Sequence, residues 1–322
     1  MMGRDSSSVI RGSQEPRPLA LSTVARSCRS RSTDHGSRKQ KGAALLLVLW
    51  VLVLMTGLVA VFAVTARTEA LQGRALARGT AARYLAEGGI EVAALRLTAA
   101  DPTLHWLPDG RPYEFTLEDA TVQVRVRDES GRVDLNAASP TLLQALIEAV
   151  GGDPVQAPRI AAAIQDFRDA DDLLSPGGGA EDRDYAADGR PYGAKDRAFE
   201  TVTELQQVLG VDGELYRKLA PHVTVHTGLA QPDPTFADEL VLRALGLPPI
   251  QVDSILAGRE PRAPGSPPAP LAGSGTGTYS ISSRATRPDG TRAVVHATVR
   301  LGAASGLGQL YTPLAWRVGD PD

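Results

Sequence analysis

The residues best placed to do chemistry are acidic and crowded. Between Asp166 and Asp196 stand nine carboxylates, those of Asp166, Asp169, Asp171, Asp172, Glu181, Asp182, Asp184, Asp188 and Asp196. Only Arg168, Arg183, Arg190 and Lys195 oppose them. Such an excess repels itself unless it is hydrated or neutralised. The spacing Asp-x-x-Asp-x-Asp-Asp is followed by Pro176-Gly177-Gly178-Gly179 and then Glu181-Asp182, so carboxylates from two segments can converge around a flexible turn. Hard oxygen donors without His or Cys suit calcium, which takes about six to eight oxygens, better than zinc. Asp166, Asp169, Asp171, Asp172, Glu181 and Asp182 are therefore the candidate calcium ligands. The spacing is not that of an EF-hand, and a hydrated acidic loop is the competing reading. A cation would tie together chain segments that, in sequence, lack an apolar core of their own.

No catalytic constellation accompanies these acids. Among the five histidines only His222 and His226 approach ligand spacing, and they flank a strand-like stretch, PHVTVHT, so all five read as surface residues. Gly177 to Gly179 is not a phosphate loop, because no Gly-Lys-Ser/Thr follows it. Cys28 is the single cysteine, which excludes an intrachain disulfide and a thiolate zinc site. A net charge of -3 gives no general reason to expect nucleic-acid binding.

The elements that must carry the acids begin with a membrane segment. Residues 43–66 are uncharged throughout, and about 20 residues suffice for a helix to cross the hydrocarbon core. Residues 1–42 hold nine Arg or Lys against three acids, so the N-terminal side stays in the cytoplasm. A cleaved secretory signal has an apolar region of only about 7–15 residues; a plain signal anchor fits the length better. Helix formers continue to about Ala100, with Leu71, Ala75, Leu76, Tyr84, Leu85, Ile90, Val92, Leu95 and Leu97 as an apolar stripe of irregular helical spacing.

Three short alternating strands follow between Arg111 and Leu135, with turns at Glu118-Asp119 and Ser130-Gly131. A hairpin around Pro288-Asp289-Gly290 and a strand over 310–318 close the chain. Between them lie helical patterns from about Ser139 to His226 and again over 236–259. Strands so far apart must come back together, which implies an inserted domain. The reading is an α+β chain. It comprises a basic leader (1–42), a transmembrane helix (43–66), an amphipathic continuation (67–100) and the first part of an antiparallel sheet (101–137). An inserted all-α domain (138–260), a Pro/Gly/Ser-rich linker (261–278) and C-terminal strands (279–322) complete it.

The stretch KGAALLLVLWVLVLMTGLVA resembles the class III signal of type IV pilins and pseudopilins. That resemblance implies a pilin-like sheet, cleavage between Gly42 and Ala43 by a prepilin peptidase, and an apolar helix that stays on the mature protein. A 42-residue leader exceeds what the family leads one to expect, which leaves open a start later than Met1 or a local extension. Most of the broader family has glutamate at the fifth mature position, paired with a neighbouring subunit's amino terminus. Leu47 stands there in this chain, as in a subunit at the filament tip. ARTEA at 66–70, AEGGIEVA at 86–93 and DADDLLSPGGGAEDRDY resemble the K-type minor pseudopilins of type II secretion. This implies bound calcium in the acidic loop, other minor pseudopilins as partners and an inner-membrane site with the C-terminal bulk in the periplasm. The implied role is to start a short periplasmic filament that supports protein export. The resemblance implies no enzymatic activity. The alternative is a helix-hairpin-helix DNA-binding protein, since GRVDLNAASPTLLQALIEAVGGD and FETVTELQQVLGVDGELYRKLAP resemble the paired units of DNA-uptake receptors. Asp153 and Asp212 lie close to where phosphate would sit and repel it, and helix-terminating glycines explain the same hairpins. No nucleic acid is expected.

Overall fold

The computed structural model describes residues 41–101, 103–259, 275–302 and 310–319. The basic tract before residue 41 and the linker residues 261–274 lie outside the described residues. Helix α1 covers Lys41–Leu97, uninterrupted by proline and rich in Leu and Ala. Residues up to Ala66 belong to one compact unit and those from Arg67 onward to a second. In the first unit the apolar side chains from Leu45 to Val64 are all exposed. This is the one helix among the described residues long and apolar enough to cross a membrane.

In the second unit the buried face of α1 is not the large-residue stripe expected from spacing. Leu85, Ile90 and Leu97 are buried, but Leu71, Leu76, Tyr84 and Leu95 are exposed, and Ala82, Ala86, Ala93 and Ala94 fill the remaining buried positions. Small side chains let the helix axis approach the sheet closely. A Cβ on Gly89 would collide with Ser283 Oγ and lie 2.9 Å from Val122 Cγ1.

Among the described residues seven strands follow: β1 (Asp109–Leu117), β2 (Ala120–Asp128), β3 (Val133–Asp134), β4 (Val223–Thr224), β5 (Thr278–Thr286), β6 (Arg292–Leu301) and β7 (Tyr311–Val318). The main sheet has the order β1-β2-β5-β6-β7, antiparallel throughout. Val122, Val124 and Val126 of β2 alternate inward with Ile281 and Ala285 of β5 and Val295, Ala297 and Val299 of β6, and α1 covers them. Glu118 turns the first hairpin with φ 52°, and Gly290 turns the β5–β6 hairpin with φ 82°. There Thr291 donates its N–H to Asp289 Oδ1 at 2.9 Å.

The third strand does not join this sheet. Gly131 lies so close to the Phe236 backbone that no side chain fits, and the buried turn Glu129–Gly131 leads β3 away to pair in parallel with β4. Asp134, buried in β3, accepts the N–H groups of Thr227 and Gly228 and the Thr227 hydroxyl on Oδ2 at 2.7–2.9 Å. The VTVHT stretch is thereby held against β3 and not left on the surface.

Among the described residues between β2 and β5 stand six α-helices: α2 (Pro140–Ala149), α3 (Ala157–Arg168), α4 (Asp182–Ala187), α5 (Gly213–Leu219), α6 (Glu239–Ala244) and α7 (Pro249–Arg259). Ser139 caps α2 by accepting from Leu142 N at 3.3 Å, and Pro140 occupies the first turn, where a missing N–H costs nothing. Leu143, Leu146, Ile147, Ile164, Phe167, Tyr185, Leu205, Leu219 and Leu242 form a core separate from that of the sheet. The expectation that the segments around the acidic loop lack an apolar core is thus overturned. Tyr185 and Phe199 bury rings against Phe167, at centroid distances of 6.5 and 5.1 Å.

Replacing Gly89 by Val is expected to destabilise the sheet unit by about 1–3 kcal/mol, the ordinary cost of overpacking. At Gly79 nothing lies within 4 Å of an added Cβ, so Gly79→Ala is expected to leave stability unchanged or raise it slightly. Thermal melts of the two variants in detergent check the difference.

Candidate metal centre

Three carboxylates converge where α3 ends and α4 begins. Asp166 lies in the last turn of α3 and Asp169 is that helix's C-cap, its N–H donated to Gln165 O at 3.0 Å. Glu181 is the N-cap of α4, its N–H donated to Asp184 Oδ2 at 3.1 Å. One oxygen from each of Asp166, Asp169 and Glu181 lies within 4.8 Å of the others. Asp166 is fully buried and Glu181 is 4% exposed. The intervening loop closes over them. Ser175 N–H donates to Asp166 Oδ1 at 3.0 Å, and a side chain on Gly179 would collide with the same carboxylate. The glycine run therefore serves close approach to Asp166, which the turn alone does not require.

Charge at the site is uncompensated. Arg168 turns away to donate to the Leu135 and Ala138 carbonyls. Lys195 pairs with Glu204 at 2.6 Å and Arg190 with Asp188 at 3.0 Å. Among the described residues no ion pair joins a cation to the three clustered acids. Asp166 Oδ2, Asp169 Oδ1 and Glu181 Oε1 are buried without a hydrogen-bond partner. A buried acceptor left unmade costs about 1–3 kcal/mol, more when charged. Unpartnered oxygens aimed at one point, with no soft donor, fit a hard divalent cation such as calcium.

The other candidates sit apart. Asp171 Oδ1 accepts from Leu173 N at 3.0 Å and Asp182 Oδ1 from Ala194 N at 3.1 Å, so each has an oxygen committed to its own loop. Asp172 is exposed. Asp196, absent from the ligand set read from sequence, belongs electrostatically to the group, since it raises the affinity of Asp169 and Glu181 for protons. Its backbone has φ 54°, uncommon outside glycine, and nothing in the sequence marks it.

The hairpins of the DNA-binding alternative are internally satisfied. Gly151 and Gly210 terminate helical turns with φ 80° and 89°. Asp153 accepts from Val155 N at 2.9 Å and Asp212 from Leu215 N at 2.7 Å, so carboxylates occupy amides that a phosphate would need. Among the described residues the histidines form no ligand pair. His222 Nδ1 bonds Asp238 Oδ2 at 2.6 Å, and His226 is half-buried, so neither is the surface residue expected from sequence.

Residues 119–228, which contain the whole carboxylate cluster, match the family described as type II secretion system (T2SS), protein K. Over this stretch the chain is similar to protein K. Type II secretion system protein K of Klebsiella pneumoniae is 29% identical over 210 residues, covering 58% of this chain and 63% of the relative. That of Pectobacterium carotovorum subsp. carotovorum is 30% identical over 212 residues, covering 58% and 62%. The matches thus span less than two thirds of these relatives' length. A chain in the crystal structure of the GspK-GspI-GspJ complex from enterotoxigenic Escherichia coli aligns with TM-score 0.52 at 21% identity, over 80% of this chain and 99% of that one. The α+β architecture is shared with that crystal chain. The resemblance read from the acidic loop agrees with these matches.

Burial, with Asp166, Asp169, Asp196 and Asp172 nearby, raises the Glu181 carboxyl from 4.5 to about 7. Asp169 and Asp196 are raised for the same reasons. A folded-state value above the unfolded one means that the folded protein binds the extra proton between about 4.5 and 7. Stability from this group is therefore present at low pH and lost as pH rises through about 7. His226, lowered by burial, opposes this below its ordinary value, so the informative quantity is a difference. In chelator, wild type is expected to lose stability relative to Glu181→Gln between about pH 4.5 and 7. Parallel melting across that range would show that the site is not the source.

Proposed function

We propose that this chain is a minor pseudopilin of a type II secretion system, held in the inner membrane by its apolar helix with the remainder in the periplasm. In this reading it sits at the tip of the periplasmic pseudopilus, starts its assembly and so supports export of folded proteins across the outer membrane. Its partners are the other minor pseudopilins, and its role is structural, not catalytic. The observation that carries the reading is the protein K match over residues 119–228, joined in one chain to a Gly-then-apolar start. Support comes also from Leu47, since a leucine in place of a buried glutamate needs no partner in the layer that would precede a tip subunit. That the similar crystal chain was solved in a complex with GspI and GspJ supports partners of the same kind for this one.

The test joins processing to export. Gly42 and Ala43 stand in the first turn of α1, where the basic run would hold the junction at the cytoplasmic face. The mature chain isolated from membranes is expected to begin at Ala43 by mass spectrometry. Gly42→Val is expected to stay unprocessed and to leave exported proteins in the periplasm of a strain lacking the wild-type chain. An intact N-terminus with normal export, or cleavage after Ala66, would replace the pseudopilin reading with a signal anchor or a secreted domain.

We further assign calcium to the site of Asp166, Asp169 and Glu181, with Asp171, Asp172, Asp182 and Asp196 in the surrounding field. The ion would neutralise the repulsion and satisfy three orphaned oxygens. Its contribution adds to an existing apolar core, so the metal-free domain stays folded but less stable. Calcium at 100 times its dissociation constant is expected to stabilise by about 2.7 kcal/mol. The Asp166→Asn/Glu181→Gln variant is expected to melt at the same temperature with calcium or chelator, and calorimetry of both proteins checks this.

A further inference from the structure

The stretch of α1 that opens the second unit carries a basic stripe that the proposed function does not use. Arg67, Leu71, Arg74 and Arg78 are spaced i, i+4, i+7 and i+11, which places them on one helical face. All four are exposed. Arg78 is engaged with Asp289 at 3.5 Å. Arg67 and Arg74 have no acidic or hydrogen-bonding partner among the described residues, and Glu69 lies well off their face of the helix. Two unpaired guanidiniums flank an exposed leucine, immediately after a run of 24 uncharged residues.

We propose that Arg67 and Arg74 bind the phosphate of an anionic phospholipid on the far leaflet of the membrane that α1 crosses. The proposal rests on the membrane reading of residues 43–66. The interfacial layer extends about 5–7 Å beyond the hydrocarbon on each side. Arg67 is the first residue past the apolar run and enters that layer directly. Arg74 is about 10 Å further along at 1.5 Å per residue; its side chain can lean back toward the helix N-terminus by several ångströms while that of Arg67, at the hydrocarbon edge, extends outward to the headgroups, which lets both guanidiniums reach the same layer. Arginine donates bidentately to phosphate. Leu71 between them is suited to the apolar margin of the same layer. A lipid is favoured over an acidic protein segment because the two free arginines are those nearest the apolar run, whereas Arg78, further away, is satisfied within the chain.

Reconstitution of the full chain in nanodiscs of mixed phosphatidylcholine and phosphatidylglycerol tests this, with co-retained lipid read by native mass spectrometry. Wild type is expected to enrich phosphatidylglycerol, and Arg67→Gln/Arg74→Gln to lose about fivefold per arginine. Arg67→Lys/Arg74→Lys is expected to keep most of the enrichment, and Arg243→Gln, an exposed arginine on α6, all of it. If wild type and the double Gln variant enter the bilayer and retain the same lipids, the proposal falls while the membrane reading stands. An acidic partner then becomes the occupant of the stripe. If the chain does not enter the bilayer, the membrane reading falls and takes this proposal with it.

Discussion

Everything in the second unit depends on β2 finding β5. The two strands pair antiparallel over eight positions, from Thr121 with Thr286 to Asp128 with Tyr279, although the entire helical region lies between them in the chain. The cost of closing so long a loop grows only slowly with its length, but the pairing still requires the insert to begin and end side by side. Its first and last segments are accordingly tied down. Glu129 accepts from Arg132 at 2.8 Å and from the Ser280 hydroxyl of β5, and Arg111 NH2 donates at 2.7 Å to the carbonyl of Arg259, where α7 ends. Arg259 in turn holds the Ala237 carbonyl at 2.7 Å. Polar contacts thus clamp the junction, while the two cores on either side form from different residues.

This arrangement lets the helical region tolerate a feature that a single core would resist. Burying Asp166 beside Asp169 and Glu181 is unfavourable without a counter-charge, and the three oxygens have no protein partner. The penalty is local because Leu143, Leu146, Ile164 and Phe167 hold α2 against α3 irrespective of the loop. A cation bound there would add order at the α3–α4 junction without being the sole source of the fold, unlike in small domains that unfold when their metal is removed.

Much of this was legible in the sequence because it is local. Period-two alternation located β1 and β2, and Pro288-Asp289-Gly290 located the β5–β6 turn, since both depend on neighbours in the chain. What stayed hidden is tertiary. The alternation at Val133 looked like a third strand of the same sheet, yet only the packing of Gly131 against Phe236 decides that β3 leaves it for β4. The stripe on α1 pointed to leucines, whereas contact with the sheet selected alanines and Gly89. In the acidic loop composition pointed to six carboxylates, of which Asp166, Asp169 and Glu181 converge. It could not separate carboxylates aimed inward from those of Asp171 and Asp182 that bind their own loop amides, because that depends on where α4 starts.

The same distinction explains why a hairpin resemblance and a functional hairpin differ. Glycines at 151 and 210 have the positive φ that such turns require, so the sequence likeness reports a genuine backbone geometry. Function in a phosphate-binding hairpin comes from amides left free for the ligand. Here Asp153 and Asp212 take amides at the start of the next helix, and Gly210 lies against Ile160, where a Cβ would sit 3.0 Å from its Cγ1. Turns of this kind pack one helix on the next, and the negative charge that completes them excludes a second anion. The unmet demand in this domain is the opposite one, buried carboxylate oxygens of Asp166, Asp169 and Glu181 that no protein donor reaches.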